Sequence, residues 1–163
     1  MNVVHMMIGI QGSGKTTYAK MLKQKLNLSI ISSDNVRDER PDLEEKDIFP
    51  EVYKRASEIL KSGQDIIFDA TNITKKVRQR LRDKLSALGC DHIEIIAYYF
   101  VPDVALSEER IAKRNEAPSE RFLPLEIIAE YAEHIEAPEA CENFKSIVYI
   151  DDFETEIKKD SGD

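Results

Sequence analysis

The sequence predicts a three-layer α/β fold in which helices cover both faces of a parallel sheet. Two observations carry that prediction. Short apolar runs at residues 3–8, 28–32, 65–69, 93–101 and 146–150 alternate with segments of helical periodicity. The first run also passes directly into Gly9-Ile10-Gln11-Gly12-Ser13-Gly14-Lys15-Thr16-Thr17, a glycine and a Gly-Lys-Thr triplet bracketing four residues. That strand–loop–helix setting is what a phosphate-binding loop requires. Right-handed crossovers between such strands bring their C-terminal ends to one edge of the sheet, where ligands bind.

Each element has a local reason. Residues 3–8 are apolar enough for a strand buried on both faces. The helix opening at Lys15 sets Ala19, Leu22 and Leu26 on one face and its lysines elsewhere. A second strand at 28–32 leads into Ser33-Asp34-Asn35-Val36-Arg37. Residues 38–47 are charge-rich around Pro41 and predict a loop or short helix. A helix over 50–61 follows, with Pro50 in its first turn and Val52, Ala56, Ile59 and Leu60 facing the core, and Ser62-Gly63 end it. Ile66-Ile67-Phe68 form a third strand ending in Asp69-Ala70-Thr71-Asn72. Asn72 or Thr74 can cap the next helix, whose Val77, Leu81, Leu85 and Leu88 make an apolar stripe before Gly89. The fourth strand gives way at Pro102-Asp103 to a helix reaching about Asn115, packed through Val104, Leu106 and Ile111. Residues 116–123 are polar, and Pro124 opens a helix using Ile127, Ile128, Tyr131 and Ile135. The fifth strand precedes an acidic tail at 152–163 that reads as solvated.

The chain has 163 residues, enough for one domain with a sizeable core. Its net charge of −8 is unevenly placed: no acid precedes Asp34, and the surplus lies from Glu126 onward. Local field rather than total charge steers an anionic substrate. Cys90 and Cys141 form no redox or metal motif, and His5, His92 and His134 have no neighbour at metal-ligand spacing. With no leader-like start and no membrane-length apolar run, a cytoplasmic protein without membrane association is expected.

In the loop, Gly9, Gly12, Ser13 and Gly14 turn backbone N–H groups inward as an anion cradle, and Thr16 and Thr17 open the helix behind it. Lys15 would reach the β- and γ-phosphates and Thr16 would offer a hydroxyl to Mg²⁺, so ATP or another nucleoside triphosphate with Mg²⁺ is the expected ligand pair. Asp69, ending an apolar strand, sits where an acid helps hold that ion, bonds the loop backbone, or does both. Asp34 can act as a general base or as a helix N-cap. Arg37 can clamp a phosphate or pair with Asp34 or Asp38. Thr71 and Asn72 can contact substrate or shape a turn. Arg110, Lys113, Arg114 and Arg121 flank a polar segment suited to a lid over the transferring group, with Arg114 and Arg121 the favoured contacts; an ordinary charged helix is the competing reading. Lys75, Arg78 and Arg82 share a helical face that reads by default as solvated, though its start lies beside the crevice.

Taken together, the loop, Ser33-Asp34-Asn35-Val36-Arg37, Asp69-Ala70-Thr71-Asn72, Lys113-Arg114-Asn115 and a downstream arginine resemble the polynucleotide 5′-kinases, over about residues 3–150. The likeness is to the kinase domain of the bacteriophage end-healing enzyme. It implies that Asp34 is the base for a 5′-hydroxyl and that Arg37 contacts the acceptor's 3′-phosphate. Thr71 and Asn72 would then lie at the acceptor site, and Arg114, with Arg121, would grip the donor phosphates. Pro118 stands where that family places a further lid arginine, Asn35 and Val36 depart from its pattern, and no phosphatase motif follows.

The expected architecture is a three-layer P-loop NTPase/kinase fold, strand order 2-3-1-4-5, spanning residues 1–151 with a helical lid at about 113–124. The expected activity is γ-phosphate transfer from ATP to the 5′-hydroxyl end of DNA or RNA. Its rivals are a P-loop kinase for a small-molecule hydroxyl (nucleoside, sugar or drug) and a non-catalytic nucleotide-binding switch.

Overall fold

β1 (Asn2–Ile8) occupies the middle of the sheet because its alternate residues are apolar on both sides. Val4, Met6 and Ile8 pack into one core and Met7 into another, all of them fully buried. The computed structural model describes residues 1–117 and 121–151. After β1 come α1 (Lys15–Leu26), β2 (Ser29–Ser32), α2 (Ser33–Glu39), α3 (Glu45–Lys61), β3 (Ile66–Asp69) and α4 (Lys75–Ala87). β4 (Ile93–Phe100), α5 (Val104–Asn115), α6 (Glu126–His134), a 3₁₀ turn at Ala140–Glu142 and β5 (Ser146–Ile150) complete the order.

The sheet runs β2-β3-β1-β4-β5 with every pair parallel, as the alternation of strands and helices predicts. α3 and α4 cover one face through Val52, Ala56, Leu60, Leu81 and Leu85. α1 covers the other through Ala19 and Leu22, against Met7, Ile67, Tyr98 and Phe100. His5 is a packed histidine: its ring bonds the Tyr98 hydroxyl at 2.8 Å, and burial pushes that phenol up to about 12. A third cluster of Ile10, Ile111 and Ile128 fastens α5 and α6 to the glycine loop. None of the helices among the described residues is long and apolar enough to cross a membrane.

Several boundaries differ from the sequence expectation. Residues 33–39 are helical, and α3 begins at Glu45 rather than Pro50. Glu45 and Asp47 suit the positive end of that helix, and burial of Ile48 draws the first turn onto the core, so Pro50 is carried inside. Leu26 and Leu88, expected to face the core, end their helices 41% and 38% exposed.

The larger correction concerns α4. Arg78 is only 2% exposed, and its guanidinium forks onto Glu142, Nε to Oε1 at 2.8 Å and Nη2 to Oε2 at 3.0 Å. Its Nη1 donates to the Asn72 carbonyl at 2.8 Å. Lys75 pairs with Glu139 at 2.7 Å, and Arg82 donates to the Glu142 and Asn143 carbonyls, each at 3.1 Å, beside the Phe144 ring. The face that read as solvated is therefore covered by the acidic segment after α6. The same segment reaches the loop after β3, where Glu136 N–H donates to the Ile73 carbonyl at 2.7 Å.

Removing one partner of a buried pair strands the other charge, at a cost of about 3–5 kcal/mol. Glu142→Ala should therefore lower unfolding free energy by that amount in urea denaturation, and Arg78→Met with Glu142→Leu should cost less than the single change. A loss below about 1 kcal/mol for Glu142→Ala would remove the pair from the list of what holds the fold.

Candidate active site

Between β1 and α1 the chain has to reverse around a space the width of a phosphate. Gly12 and Gly14 make this possible, with φ of 77° and 97°. At Gly12 a Cβ would also meet the Ser107 carbonyl at 2.8 Å, so the absence of a side chain lets α5 pack on the loop. No acid occupies the first turn of α1, which leaves its positive end free for an anion. The Ser13 hydroxyl and the Gln11 side-chain oxygen are buried in this cradle with no hydrogen-bond partner among the described residues.

Lys15 is 9% exposed and donates to the Ile10 carbonyl at 2.9 Å. Burial lowers its pKa, while Asp69 and then Asp34 pull it back and Arg114 lowers it further. Asp69, 7% exposed at the end of β3, accepts the Thr16 hydroxyl at 3.0 Å. Burial raises its pKa, against the pull of Lys15 and Thr16. The Thr16 hydroxyl and Asp69 carboxylate are hard oxygen donors, the set that suits Mg²⁺ when substrate phosphates supply its other ligands. Thr17 is exposed beside Thr16.

On the α2 side of the crevice, Ser32 rather than Asp34 caps α2, its Oγ accepting the Asn35 N–H at 3.3 Å. Asp34 is thus released from the capping role, with its side chain 73% exposed. Arg37 lies one turn on and donates to Asp34 at 2.8 Å. Its Nη2 and Nε reach Glu45 at 2.5 and 3.1 Å, a partner the sequence did not suggest because a loop or short helix was expected there, with the long helix opening only at Pro50. The Glu45 bond, ahead of burial, sets the upward pKa shift of Arg37. An N–H on each terminal nitrogen of the fork stays available to a ligand.

The loop after β3 closes the crevice. The Thr71 carbonyl accepts the Gly9 N–H at 3.0 Å. Asn72, at φ 48° and 3% exposed, donates to the Met7 and Ala70 carbonyls at 2.7 and 3.2 Å. Of its two expected roles, the bonds made here are those of turn-shaping.

Arg110, passed over in favour of its neighbours, donates to the Gly12 carbonyl at 3.1 Å. The signal for it was its place between Ser107 and Ile111, the two α5 residues packed toward the loop. Arg114 is exposed yet close enough to act on Lys15. Arg121 pairs with Asp38, joining the segment after α5 to α2. Residues 118–120 of the expected lid and the acidic tail from 152 lie outside the described residues.

A family model described as an AAA domain matches residues 4–138. Three solved structures share the fold. Kti12 of Chaetomium thermophilum, in complex with ADP-AlF3, has a TM-score of 0.72 and 18% identity over 98% of this chain and 94% of its own. A fungal RNA kinase has a TM-score of 0.70 and 14% identity over 91% and 74%. A gluconokinase from Sinorhizobium meliloti has a TM-score of 0.58 and 18% identity over 93% and 82%. No curated protein sequence matches the chain.

Only ionised Asp69 can serve a cation, and its raised pKa moves the loss of that form above the ordinary carboxylate range. Mg²⁺-dependent tightening of nucleotide binding should therefore disappear as pH falls through that raised value. Asp69→Asn should remove about 10–100-fold of the Mg²⁺ effect at neutral pH, read by titrating nucleotide with and without the metal. An undiminished Mg²⁺ effect in the variant would take Asp69 out of the metal site.

Proposed function

We propose, from the premise that this chain belongs to the AAA domain family and has the P-loop kinase fold, that it transfers the γ-phosphate of ATP to the 5′-hydroxyl end of DNA or RNA. The observation that carries the reading is the Asp34–Arg37 pair. It couples an exposed carboxylate to a guanidinium at 2.8 Å, and the carboxylate acts on both Lys15 and Asp69. A crevice that held only a nucleotide as a switch would have no use for an uncapped, exposed acid opposite the phosphates.

In this mechanism the cradle N–H groups and Lys15 hold the donor phosphates, with Arg110 bracing the loop through Gly12. Asp34 takes the proton of the acceptor hydroxyl as its oxygen bonds the γ-phosphorus and the bridge to the β-phosphate breaks. Thr16 and Asp69 would hold Mg²⁺, which supplies positive charge to the phosphate oxygens. Arg114 approaches from the lid side, with Arg121 held at Asp38 until closure. Arg37 offers its remaining N–H groups to the phosphate 3′ of the reacting nucleoside, with Thr71 at the edge of that space. No membrane partner is needed, and the two cysteines, neither in a disulfide, suit a reducing cytoplasm.

A small-molecule hydroxyl is the second reading, and one observation favours it. The acidic segment covers Lys75, Arg78 and Arg82, the basic face whose start lies beside the crevice and which a nucleic-acid backbone could otherwise have used. The fold itself serves both classes of acceptor.

Two measurements test the proposal. Because Ser32 supplies the cap, Asp34→Asn should leave stability within about 0.5 kcal/mol while turnover falls about 10²-fold or more; retained turnover would end its role as base. A nucleoside 3′-monophosphate should be a far better acceptor than the bare nucleoside, and Arg37→Ala should erase about 1.5–3 kcal/mol of that preference in kcat/KM. Equal rates on the two acceptors would favour the small-molecule reading.

A further inference from the structure

The α4 residues left uncovered by the acidic segment form their own row. Lys76, Arg80 and Lys84 are spaced by four residues, so they fall on one stripe of the helix, and all three are exposed. Among the described residues, neither Arg80 nor Lys84 has a side-chain hydrogen bond or ion pair. With Ala87 and Leu88 they form one wall of a cavity of about 570 Å³ between α3 and α4. The opposite wall is α3, which contributes Glu45, Lys46, Phe49, Pro50 and Tyr53.

That wall carries three features of a base platform. The Phe49 and Tyr53 rings lie 6.0 Å apart, with Tyr53 buried and Phe49 half-buried, so a flat ring can stack on Phe49 over a firm floor. Pro50 has no N–H to donate, which leaves the Lys46 carbonyl without its helix partner and offers an acceptor to the N–H edge of a base. Glu45, which lines the cavity, is also the residue that holds Arg37, so the cavity begins one ion pair away from the arginine assigned to the acceptor's 3′-phosphate.

We infer that this cavity is the track of the acceptor strand: the nucleotide on the 3′ side of the reacting one stacks its base on Phe49 and sets its phosphate on Arg80 and Lys84. An aromatic floor beside a cationic rim is the arrangement by which proteins hold single-stranded nucleic acid without reading its sequence. The inference rests on the proposed function and names how that site extends. It uses cations other than Lys75, Arg78 and Arg82, which the acidic segment engages.

The test is the ratio of kcat/KM for a 5′-hydroxyl tetranucleotide over a nucleoside 3′-monophosphate. Wild type should favour the tetranucleotide by about tenfold or more at low salt, with the advantage shrinking as salt rises. Arg80→Ala with Lys84→Ala, and independently Phe49→Ala in protein shown by circular dichroism to be folded, should bring the ratio close to one. Lys23→Ala with Lys25→Ala, on the helix covering the other face of the sheet, should preserve it. A tetranucleotide advantage that survives in the Arg80/Lys84 double variant overturns the track alone, because the transfer itself has then been observed. Absence of transfer from wild type to any 5′-hydroxyl end overturns both the track and the function beneath it.

Discussion

Lys15 and Asp69, an ammonium and a carboxylate drawn out of water at the same edge of a parallel sheet, set the terms for everything around them. Burial works against the charged form of each, and each is the other's main relief. The surrounding structure consists largely of what keeps them there. The glycine loop wraps the lysine, β3 ends at the carboxylate, and Thr16 ties the two sides together. On the proposed function, an anion and a cation entering the crevice would supply the solvation that the fold withholds. The cost of burying the two groups would thereby become part of the affinity for those ligands.

The rest of the molecule makes that edge rigid through the backbone. Gly9 is bonded to Thr71, Asn72 to Met7, and Arg78 to the Asn72 carbonyl and Glu142. The bonds of Gly9 to Thr71, Asn72 to Met7 and Arg78 to Glu142 join segments far apart in sequence, and the Arg78 bond to the Asn72 carbonyl ties the last of them to the loop after β3, which is thus fixed from three directions. The asparagine of this loop spends its side chain inside the protein. α2 is held more lightly, through carboxylates that water reaches, which would suit the exchange of an acceptor there under the proposed function.

What the sequence disclosed follows from what is local in it. The glycine loop, the five apolar runs and their order depend on spacing and chirality alone, and the structure matches them. Asp34 and Arg37 could be placed on a strand end, but whether Asp34 capped its helix depended on Ser32, two residues earlier. Glu45 stayed hidden because Pro50 was taken to open its helix rather than to sit within it. Arg78 is the instructive miss: it stands at the head of the spacing shared with Leu81 and Leu85, so it lies on the buried stripe rather than opposite it. A charge in that position demands a partner, and the acidic residues after α6 were counted as surface. Net charge misled in the same way, since part of the surplus is consumed internally by α4.

The bond between Arg78 and Glu142 spans 64 residues, and this distance sets an order of events during synthesis. At about 5–20 residues per second, α4 leaves the ribosome roughly 3–13 s before the carboxylate that neutralises it. During that interval the nascent chain already owns its glycine loop, β3 and an apolar helix face interrupted by a bare guanidinium. The phosphate cradle is thus translated first and locked last, when β5 and the segment before it arrive.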